Sequence, residues 1–254
     1  KKGSVGIQTY RRQVLQNPLL RLQHLWEKES LRAARIEDMF GRFVTQQLVE
    51  HLMSQPDFEQ IMDGERRHIS CLFCDVRGFT TRAERNSPVD LFLPLNRNFR
   101  EIIITVFQFD GMIDKFIGDS VMVVFGTPIE QPDQELRAEQ CAIAIQQRIA
   151  KINQTVEKDP VSMGIGINSG EVIAGCLGSD LRMDYTVIGD VVNIAARLES
   201  QARPGQILIG PATYQAVAEQ VDCRSVGPLT LKGKAASLET FEVCYDVPQD
   251  DANE

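Results

Sequence analysis

The chain has 254 residues, of which 43% are hydrophobic and 24% are charged, a composition typical of a globular domain that excludes disorder and collagen-like repeats. Its 27 Lys and Arg against 35 Asp and Glu give a net charge of −8. This balance argues against a nucleic-acid binder, because such proteins need a dense basic face. The mostly apolar runs, such as 102–107 and 121–125, are far shorter than the ~20 residues of a spanning helix, so no membrane segment is predicted.

The first part of the chain differs from the rest in charge and in hydrophobic pattern. Residues 1–54 carry nine Lys/Arg against five Asp/Glu. A seven-residue spacing over 15–43 predicts either a weak, interrupted coiled coil or a single amphipathic helix. We therefore expect an N-terminal helix over 1–54, a main domain over 55–245 and a polar tail over 246–254. The chain begins at Lys1 without an initiator Met or a signal-peptide pattern, so we expect a piece of a longer polypeptide.

From Glu65 onwards, strand-like and helix-like segments alternate, with long hairpins among them. This mixture predicts an α+β domain with a mostly antiparallel sheet. The predicted segments are a strand over 68–76, a helix from Ser87-Pro88 to about Phe109, strands over 112–117 and 121–125, a helix over 134–156, strands over 161–167 and 171–176 joined by a turn at 168–170, a strand over 184–188, a helix from Asp190 to Ser200 with Asp190 as its cap, a strand over 206–209, a helix over 212–219 and a closing hairpin over 227–243.

Cysteine and histidine suggest no metal or nucleophilic site. The six Cys lie in or beside apolar stretches and are expected to be reduced thiols of a cytoplasmic protein. Cys71 and Cys74 have the spacing of a zinc half-site, but on a strand their side chains would point to opposite faces. All three His precede Asp75, so a His-dependent acid-base or nucleophilic mechanism is not expected in the main body.

Two aspartates stand where strands end. Asp75 closes an apolar strand and precedes Gly78 and two threonines, a junction that can offer backbone N–H groups to an anion beside a Mg²⁺-binding carboxylate. Asp119 lies at the tip of the predicted hairpin. If the strand ends are adjacent, the two carboxylates converge and require cations between them, as in two-metal phosphoryl chemistry. Taken singly, Asp75 can equally be a helix cap and Asp119 a turn residue.

Four further polar residues are candidates for ligand binding. Asn193 and Arg197 are four apart on a helix and share one face, where they could orient a sugar and neutralise charge on phosphorus; a solvated helix face has the same pattern. Lys115 is predicted on one face with Ile113 and Ile117, and could donate to a purine nitrogen. Lys232 could contact a triphosphate, or be a charge on a turn.

In order along the chain, these motifs resemble the catalytic domain of the class III nucleotidyl cyclases, in particular bacterial adenylyl cyclases. The motifs are 73–80, 114–119, 164–170 and 185–193 with Arg197, and the resemblance covers about residues 60–245. It implies a ferredoxin-like βαββαβ core, extended by C-terminal strands and helices and preceded by the N-terminal helix. It also implies conversion of ATP to 3′,5′-cyclic AMP and pyrophosphate.

The resemblance implies a homodimer wrapped head to tail, with two composite sites. One subunit would supply the metal-binding Asp75 and Asp119, the backbone of Val76, and Gly78, Phe79 and Thr80 around the phosphates. The other would supply Lys115 and Thr186 for purine recognition and the catalytic Asn193 and Arg197. Lys232 would contact the triphosphate tail. Two Mg²⁺ ions are implied, for which Mn²⁺ can substitute.

Lys115 favours ATP, because guanine-selective relatives typically carry Glu at this position. Thr186 weakens the expectation, since mammalian membrane cyclases have Asp there and a hydroxyl can donate as well as accept. A guanylyl cyclase and an inactive nucleotide-binding domain of the same fold therefore remain as alternatives. A diguanylate cyclase of the GGDEF type is disfavoured, because the chain has no Gly-Gly-Asp/Glu-Glu-Phe motif.

Residues 1–54 resemble the signalling helix that links such domains to an upstream sensor. A parallel helix pair would couple the sensor to closure of the site. We expect a bacterial signal-transduction protein that is cytoplasmic, or the cytoplasmic part of a larger membrane-tethered protein.

Overall fold

The computed structural model describes residues 64–85, 87–155, 160–179, 181–230 and 237–246, together with the helical residues 22, 26 and 28–30. The chain divides into two compact units, Lys1–Glu50 and His51–Glu254. Most positions of the predicted coiled coil, Lys232, and residues 247–254 of the predicted tail lie outside the described residues. Within the described part, no helix has the length and apolar character needed to cross a membrane.

The main body contains eight strands and five helices among the described residues. The strands are β1 (Glu65–Val76), β2 (Met112–Ile117), β3 (Ser120–Phe125), β4 (Met163–Ser179), β5 (Arg182–Ile188), β6 (Ile207–Ile209), β7 (Cys223–Leu229) and β8 (Leu238–Val243). The helices are α1 (Phe79–Arg85), α2 (Pro88–Gln108), α3 (Gln134–Thr155), α4 (Asp190–Gln201) and α5 (Pro211–Val217).

The strands form one sheet in the order β2-β3-β1-β4-β6-β8-β7, and β5 pairs with β4. The neighbouring strands are antiparallel except for β4 and β6, which are parallel. The order β4-β1-β3-β2, with helices between β1 and β2 and between β3 and β4, is that of a ferredoxin-like βαββαβ core. The predicted α+β class, with its mostly antiparallel sheet and C-terminal extension, is confirmed.

Apolar residues of β1 bury both faces of the sheet. Leu72 and Cys74 pack with Cys141 of α3 in one cluster, whereas Cys71 packs with Ala195 of α4 in another. Because side chains alternate along a strand, α3 and α4 cover opposite faces. The Cys71 and Cys74 thiols therefore point apart, as predicted.

Two helix starts show how local sequence sets the boundaries. Ser87 is the N-cap of α2: its side chain accepts from the backbone N–H of Asp90, 3.3 Å away, and a proline follows in the first turn, as predicted. Asp190, in contrast, was predicted to be a cap but is the first residue of α4, and Gly189 precedes it as N-cap without a side-chain hydrogen bond.

The predicted turn at 168–170 is wrong, because β4 runs unbroken from Met163 to Ser179. These polar residues have partners inside the fold: the Asn168 amide donates to the Val191 carbonyl over 3.3 Å, and the Ser169 hydroxyl lies 2.8 Å from that of Ser70. Satisfied in this way, polar side chains can occupy a buried strand. The hairpin partner of β4 is instead β5.

The β4–β5 hairpin extends beyond the region where β4 pairs with β1, which ends at Ala174. Residues of β5 contact the opposite part of the sheet: the Tyr185 hydroxyl lies 2.6 Å from that of Thr127, and Thr186 contacts Lys115 of β2. This hairpin therefore carries Thr186 to a strand that is not its neighbour in the sheet.

Candidate active site

Strand pairing brings Asp75 and Asp119 together. Asp75, next to last in β1, pairs with Ser120 at the start of β3, and Asp119 precedes Ser120 in the turn between β2 and β3. The Asp119 carboxylate lies near enough to help raise the pKa of Asp75. The antiparallel register thus produces the convergence expected from the sequence.

Arg77 and Glu199 lie against this pair, and neither was singled out from the sequence. Arg77 places Nη1 3.0 Å from Asp75 Oδ2 and Nη2 2.7 Å from Glu199 Oε1 on α4. We call these four residues, Asp75, Asp119, Arg77 and Glu199, the acidic end. A signal for Arg77 was its position two residues after Asp75; nothing in the sequence indicated Glu199, 122 residues further along.

Negative charge exceeds positive charge at the acidic end. Burial raises the pKa of Asp75 to about 7, the Glu199 and Asp119 carboxylates add to that rise, and the Arg77 guanidinium opposes it. Burial also raises the pKa of Glu199, again with Arg77 opposing. Among these four residues there is thus one guanidinium for three carboxyl groups, which favours binding of a further cation.

Two glycines of β4 make room for this arrangement. A Cβ on Gly164, which pairs with Asp75, would lie 1.9 Å from Arg77 Nη2. A Cβ on Gly166 would lie 2.1 Å from the backbone nitrogen of Glu199. The first glycine admits the guanidinium and the second admits the backbone of α4. The motif at 164–170 therefore has a packing role next to the site.

The connection from β1 to α1 lies beside Asp75. Val76 is buried, Gly78 has a φ of 74°, which a side chain would strain, and Phe79 begins α1. Thr80 belongs to α1, but its side chain lies outside the described part of the chain. The predicted phosphate-binding residues thus span the turn at the end of β1 and the first residues of α1.

Lys115 and Thr186 meet at a second polar group. Lys115 Nζ is 3.1 Å from Thr186 Oγ1 and 3.1 Å from Asp114 Oδ2, and Thr186 Oγ1 is 3.2 Å from the same Asp114 oxygen. We call Asp114, Lys115 and Thr186 the purine end, after the role expected of the latter two. Burial raises the pKa of Asp114, and the ammonium of Lys115 opposes this shift.

The expected orientation of Lys115 is partly wrong, because β2 contains a bulge. Ile113 pairs with Val123 and Lys115 with Met122, so Asp114 has no partner in β3. Paired residues share a face, and Val123 and Met122 point to opposite faces. Lys115 therefore lies on the face opposite Ile113, and not beside it as predicted, because the extra residue reverses the alternation.

Asn193 and Arg197 lie on α4, four residues apart. Asn193 is exposed. Arg197 Nη1 is buried and has no hydrogen-bond partner among the described residues. Helix α4 also carries Glu199 of the acidic end, so these candidates belong to an element packed against β1 and β4.

The acidic end fits a divalent cation that also binds a phosphate. No group of three or more His, Cys, Asp or Glu that could hold a metal occurs within the described ranges. Asp75 and Asp119 are two carboxylates that could hold such a cation. Mg²⁺ is commonly bound by one or two carboxylates together with substrate phosphates, and the surplus of negative charge agrees with this.

The comparisons with known proteins all point to one family. The family described as the adenylate and guanylate cyclase catalytic domain matches residues 62–244. An adenylate cyclase of Anabaena cylindrica is 32% identical over 222 residues, covering 81% of this chain and 43% of that protein. An uncharacterised protein of Mycobacterium tuberculosis (strain ATCC 25618 / H37Rv) is 34% identical over 192 residues, 75% of this chain and 34% of its own length.

Solved structures of both nucleotide specificities are similar to this fold. The adenylyl cyclase CyaB from P. aeruginosa superposes with a TM-score of 0.68 at 34% identity, covering 72% of this chain and 96% of that one. The guanylyl cyclase Cya2 gives 0.67 at 35% identity, covering 74% and 97%. The chain thus covers nearly the whole length of these two solved chains but about a third of its mycobacterial relative. With its matching fold and motifs, the chain belongs to the adenylate and guanylate cyclase catalytic domain family, the class III nucleotidyl cyclases.

Proposed function

We propose that the chain is an adenylyl cyclase, which converts ATP to 3′,5′-cyclic AMP and pyrophosphate. The observation that carries the proposal is the convergence of Asp75 and Asp119 beside the turn at the end of β1. The choice of ATP rests on Lys115, whose ammonium is held at Thr186. An ammonium can donate to N1 of adenine, an acceptor, but not to N1–H of guanine.

At the acidic end, Asp75, Asp119 and the backbone of Val76 would hold two Mg²⁺ ions, or Mn²⁺ in their place. The ions would lower the pKa of the attacking 3′-hydroxyl and neutralise the departing pyrophosphate. Gly78, Phe79 and Thr80 would surround the phosphates, and Lys232 would contact the triphosphate tail. With the hydroxyl activated in this way, no protein base is needed, which agrees with the absence of His from the sequence after His68.

A second copy of the chain would complete each site. In a head-to-tail homodimer, Lys115 and Thr186 of the second copy would bind the purine, and its Asn193 and Arg197 would act on the transition state. Nη1 of Arg197, which has no hydrogen-bond partner among the described residues, would interact with charge that develops on the phosphoryl oxygens. Because this interaction strengthens in the transition state, Arg197→Ala should lower kcat more than it raises KM.

The remaining parts of the chain fit a signalling protein. We propose that residues 1–54 link an upstream sensor to the catalytic domain over 55–245, and that 246–254 is a polar tail. The domain would work in the cytoplasm, where ATP and Mg²⁺ are available, in a free or a membrane-tethered protein of a bacterium.

The test is product analysis with each nucleotide. The purified protein is incubated with ATP or GTP and with Mg²⁺ or Mn²⁺, and the products are identified chromatographically. We expect cyclic AMP from ATP and little cyclic GMP. Comparable formation of cyclic GMP would contradict the choice of ATP, and no cyclic product from either nucleotide would contradict catalysis.

A guanylyl cyclase is the second candidate, because Cya2 is as similar to this chain as CyaB is. The fold therefore does not discriminate between the nucleotides. Selection has to come from the side chains at the purine end.

A further inference from the structure

The purine end contains a buried carboxylate that the sequence did not single out. The side chain of Asp114 is 0% exposed, whereas that of Lys115 is 43% exposed. Oδ2 of Asp114 accepts hydrogen bonds from both Lys115 and Thr186. Oδ1 of Asp114 is buried without a hydrogen bond from any described residue. A half-satisfied buried carboxylate destabilises a fold, so stability alone does not explain its presence.

The bulge in β2 puts this carboxylate next to Lys115. Neighbours on a regular strand point to opposite faces, which would separate the two side chains. Asp114 is the extra residue between the Ile113–Val123 and Lys115–Met122 pairs, and bulges re-aim side chains in this way. Both residues can therefore reach Thr186 on the β4–β5 hairpin.

The directions of the three hydrogen bonds follow from the chemistry of the groups. A carboxylate can only accept and an ammonium can only donate. The hydroxyl of Thr186 must therefore donate its single proton to Asp114 and accept from Lys115. A threonine hydroxyl alone could either donate to a base or accept from it. Beside Asp114 its proton is already used in the hydrogen bond to the carboxylate, so it can only accept from a base.

Lys115 and Thr186 each keep one hydrogen-bonding group that could bind a base. Lys115 uses two of its three protons on Asp114 and Thr186 and keeps one; Thr186 uses one of its two lone pairs on Lys115 and keeps one. The purine end thus offers one donor, from Lys115, and one acceptor, from Thr186. Adenine presents the complement, an acceptor at N1 and a donor at its 6-amino group. Guanine presents the reverse, N1–H and the O6 acceptor.

We propose that Asp114 is a specificity-determining positioning residue, which commits the Thr186 hydroxyl to accept and so favours adenine over guanine. This inference rests on the proposed adenylyl cyclase function and identifies what sets its choice of nucleotide. Asp114 acts through Thr186 and Lys115, and does not itself contact the base.

The experiment compares kcat/KM for ATP and GTP in the full chain and in Asp114→Asn. The amide can donate as well as accept, so Thr186 regains the freedom to donate to O6. We expect the ATP:GTP ratio to fall about 10-fold or more, as expected when a polar group no longer mismatches the wrong ligand. Asp114→Ser, whose neutral hydroxyl also leaves Thr186 free, should shift the ratio in the same direction and serves if Asp114→Asn does not fold.

A double-mutant cycle separates this role from a structural one. With Thr186→Val the hydroxyl is gone, so adding Asp114→Asn should change the ATP:GTP ratio little further. Thr186→Ser keeps the hydroxyl and should keep the preference. Additive effects on the ratio, an equal loss with both nucleotides, or an unchanged ratio in both Asp114 variants would overturn the inference.

The two proposals fail in different ways. A wild-type chain without a preference for ATP contradicts the proposed function before any variant is made. A wild-type chain that prefers ATP, with Asp114 variants that prefer it equally, contradicts only the role of Asp114. Displacement of a fluorescent ATP analogue by ATP and by GTP provides the same ratio for binding, independently of turnover.

Discussion

The acidic end and the purine end differ in how their charges are compensated. The acidic end has one guanidinium for three carboxyl groups, and the pKa of Asp75 rises to about 7, chiefly through burial. At the purine end one ammonium, one carboxylate oxygen and one hydroxyl pair with one another at about 3 Å. The acidic end thus has unneutralised carboxylates that favour the proposed cations, whereas the side chains of the purine end are already held by one another for the proposed binding of a base. Changes at the first should affect turnover, and changes at the second should affect nucleotide choice.

The largest effect is expected when a carboxylate is removed from the acidic end. Asp119→Ala should lower the rate of cyclic AMP formation by about 10³-fold or more, because the proposed metal site loses one of its two carboxylates. Glu130→Ala, whose side chain is 87% exposed, is the control. Circular dichroism checks the fold, and a loss below about tenfold would place Asp119 outside the catalytic site.

A smaller effect is expected from the residue that holds Arg77. In Glu199→Gln the guanidinium loses one anionic partner and pairs more strongly with Asp75, so Mg²⁺ binding should weaken about 10-fold or more, as for other residues that orient metal ligands. Mn²⁺ binding followed by electron paramagnetic resonance measures this without turnover.

The control for Glu199 is Glu171→Gln, at an exposed glutamate of β4. Unchanged Mn²⁺ affinity in Glu199→Gln would show that the Arg77–Glu199 contact does not influence the metal site.

Alanine substitutions at the two glycines of β4 compare a clash with backbone to a clash with a charged side chain at the acidic end. Gly166→Ala places a methyl group against the backbone of α4, which cannot move locally, and should lower the free energy of unfolding by about 1–3 kcal/mol. Gly164→Ala meets the Arg77 guanidinium, a side-chain end that can shift although it is held by Asp75 and Glu199, and should cost less, about 1 kcal/mol. Urea unfolding measures both, and equal losses would contradict this distinction.

Glu139 of α3 is a buried carboxyl group that, unlike Asp114, has no cationic partner among the residues that the structure describes. It is 0% exposed, its Oε1 accepts from the Cys223 thiol over 3.5 Å, and burial raises its pKa from 4.5 to about 7. Between these values the folded state binds more protons than the unfolded state, so the free energy of unfolding falls as the pH rises.

Replacing Glu139 should therefore stabilise the fold at high pH. Glu139→Gln should raise the free energy of unfolding at pH 8 by about 1–2 kcal/mol and have little effect near pH 4.5. Urea unfolding at both pH values measures this, with Glu130→Gln as the control. A stabilisation that is the same at both pH values would contradict the assigned pKa.

The sequence revealed features that depend on local pattern. Asp75 and Asp119 were recognised because a strand end and a hairpin tip are visible in the order of residues, and the sheet then placed them together. Asp114 was missed, because a bulge cannot be read from alternating hydrophobicity and regular alternation would have turned it away from Lys115. Glu199 was missed, because its contact with Arg77 spans 122 residues. The turn expected at 168–170 was wrong, because its polar residues have buried partners that only the tertiary fold supplies.

The most direct measurement of the central claim, a site shared between two copies of the chain, mixes two inactive variants. Asp75→Ala and Arg197→Ala should each be inactive alone. After subunit exchange, about half of the dimers are mixed and each mixed dimer has one intact site, so activity should return to roughly a quarter of the wild-type rate. No recovery, with exchange verified by differently tagged subunits, would contradict the account.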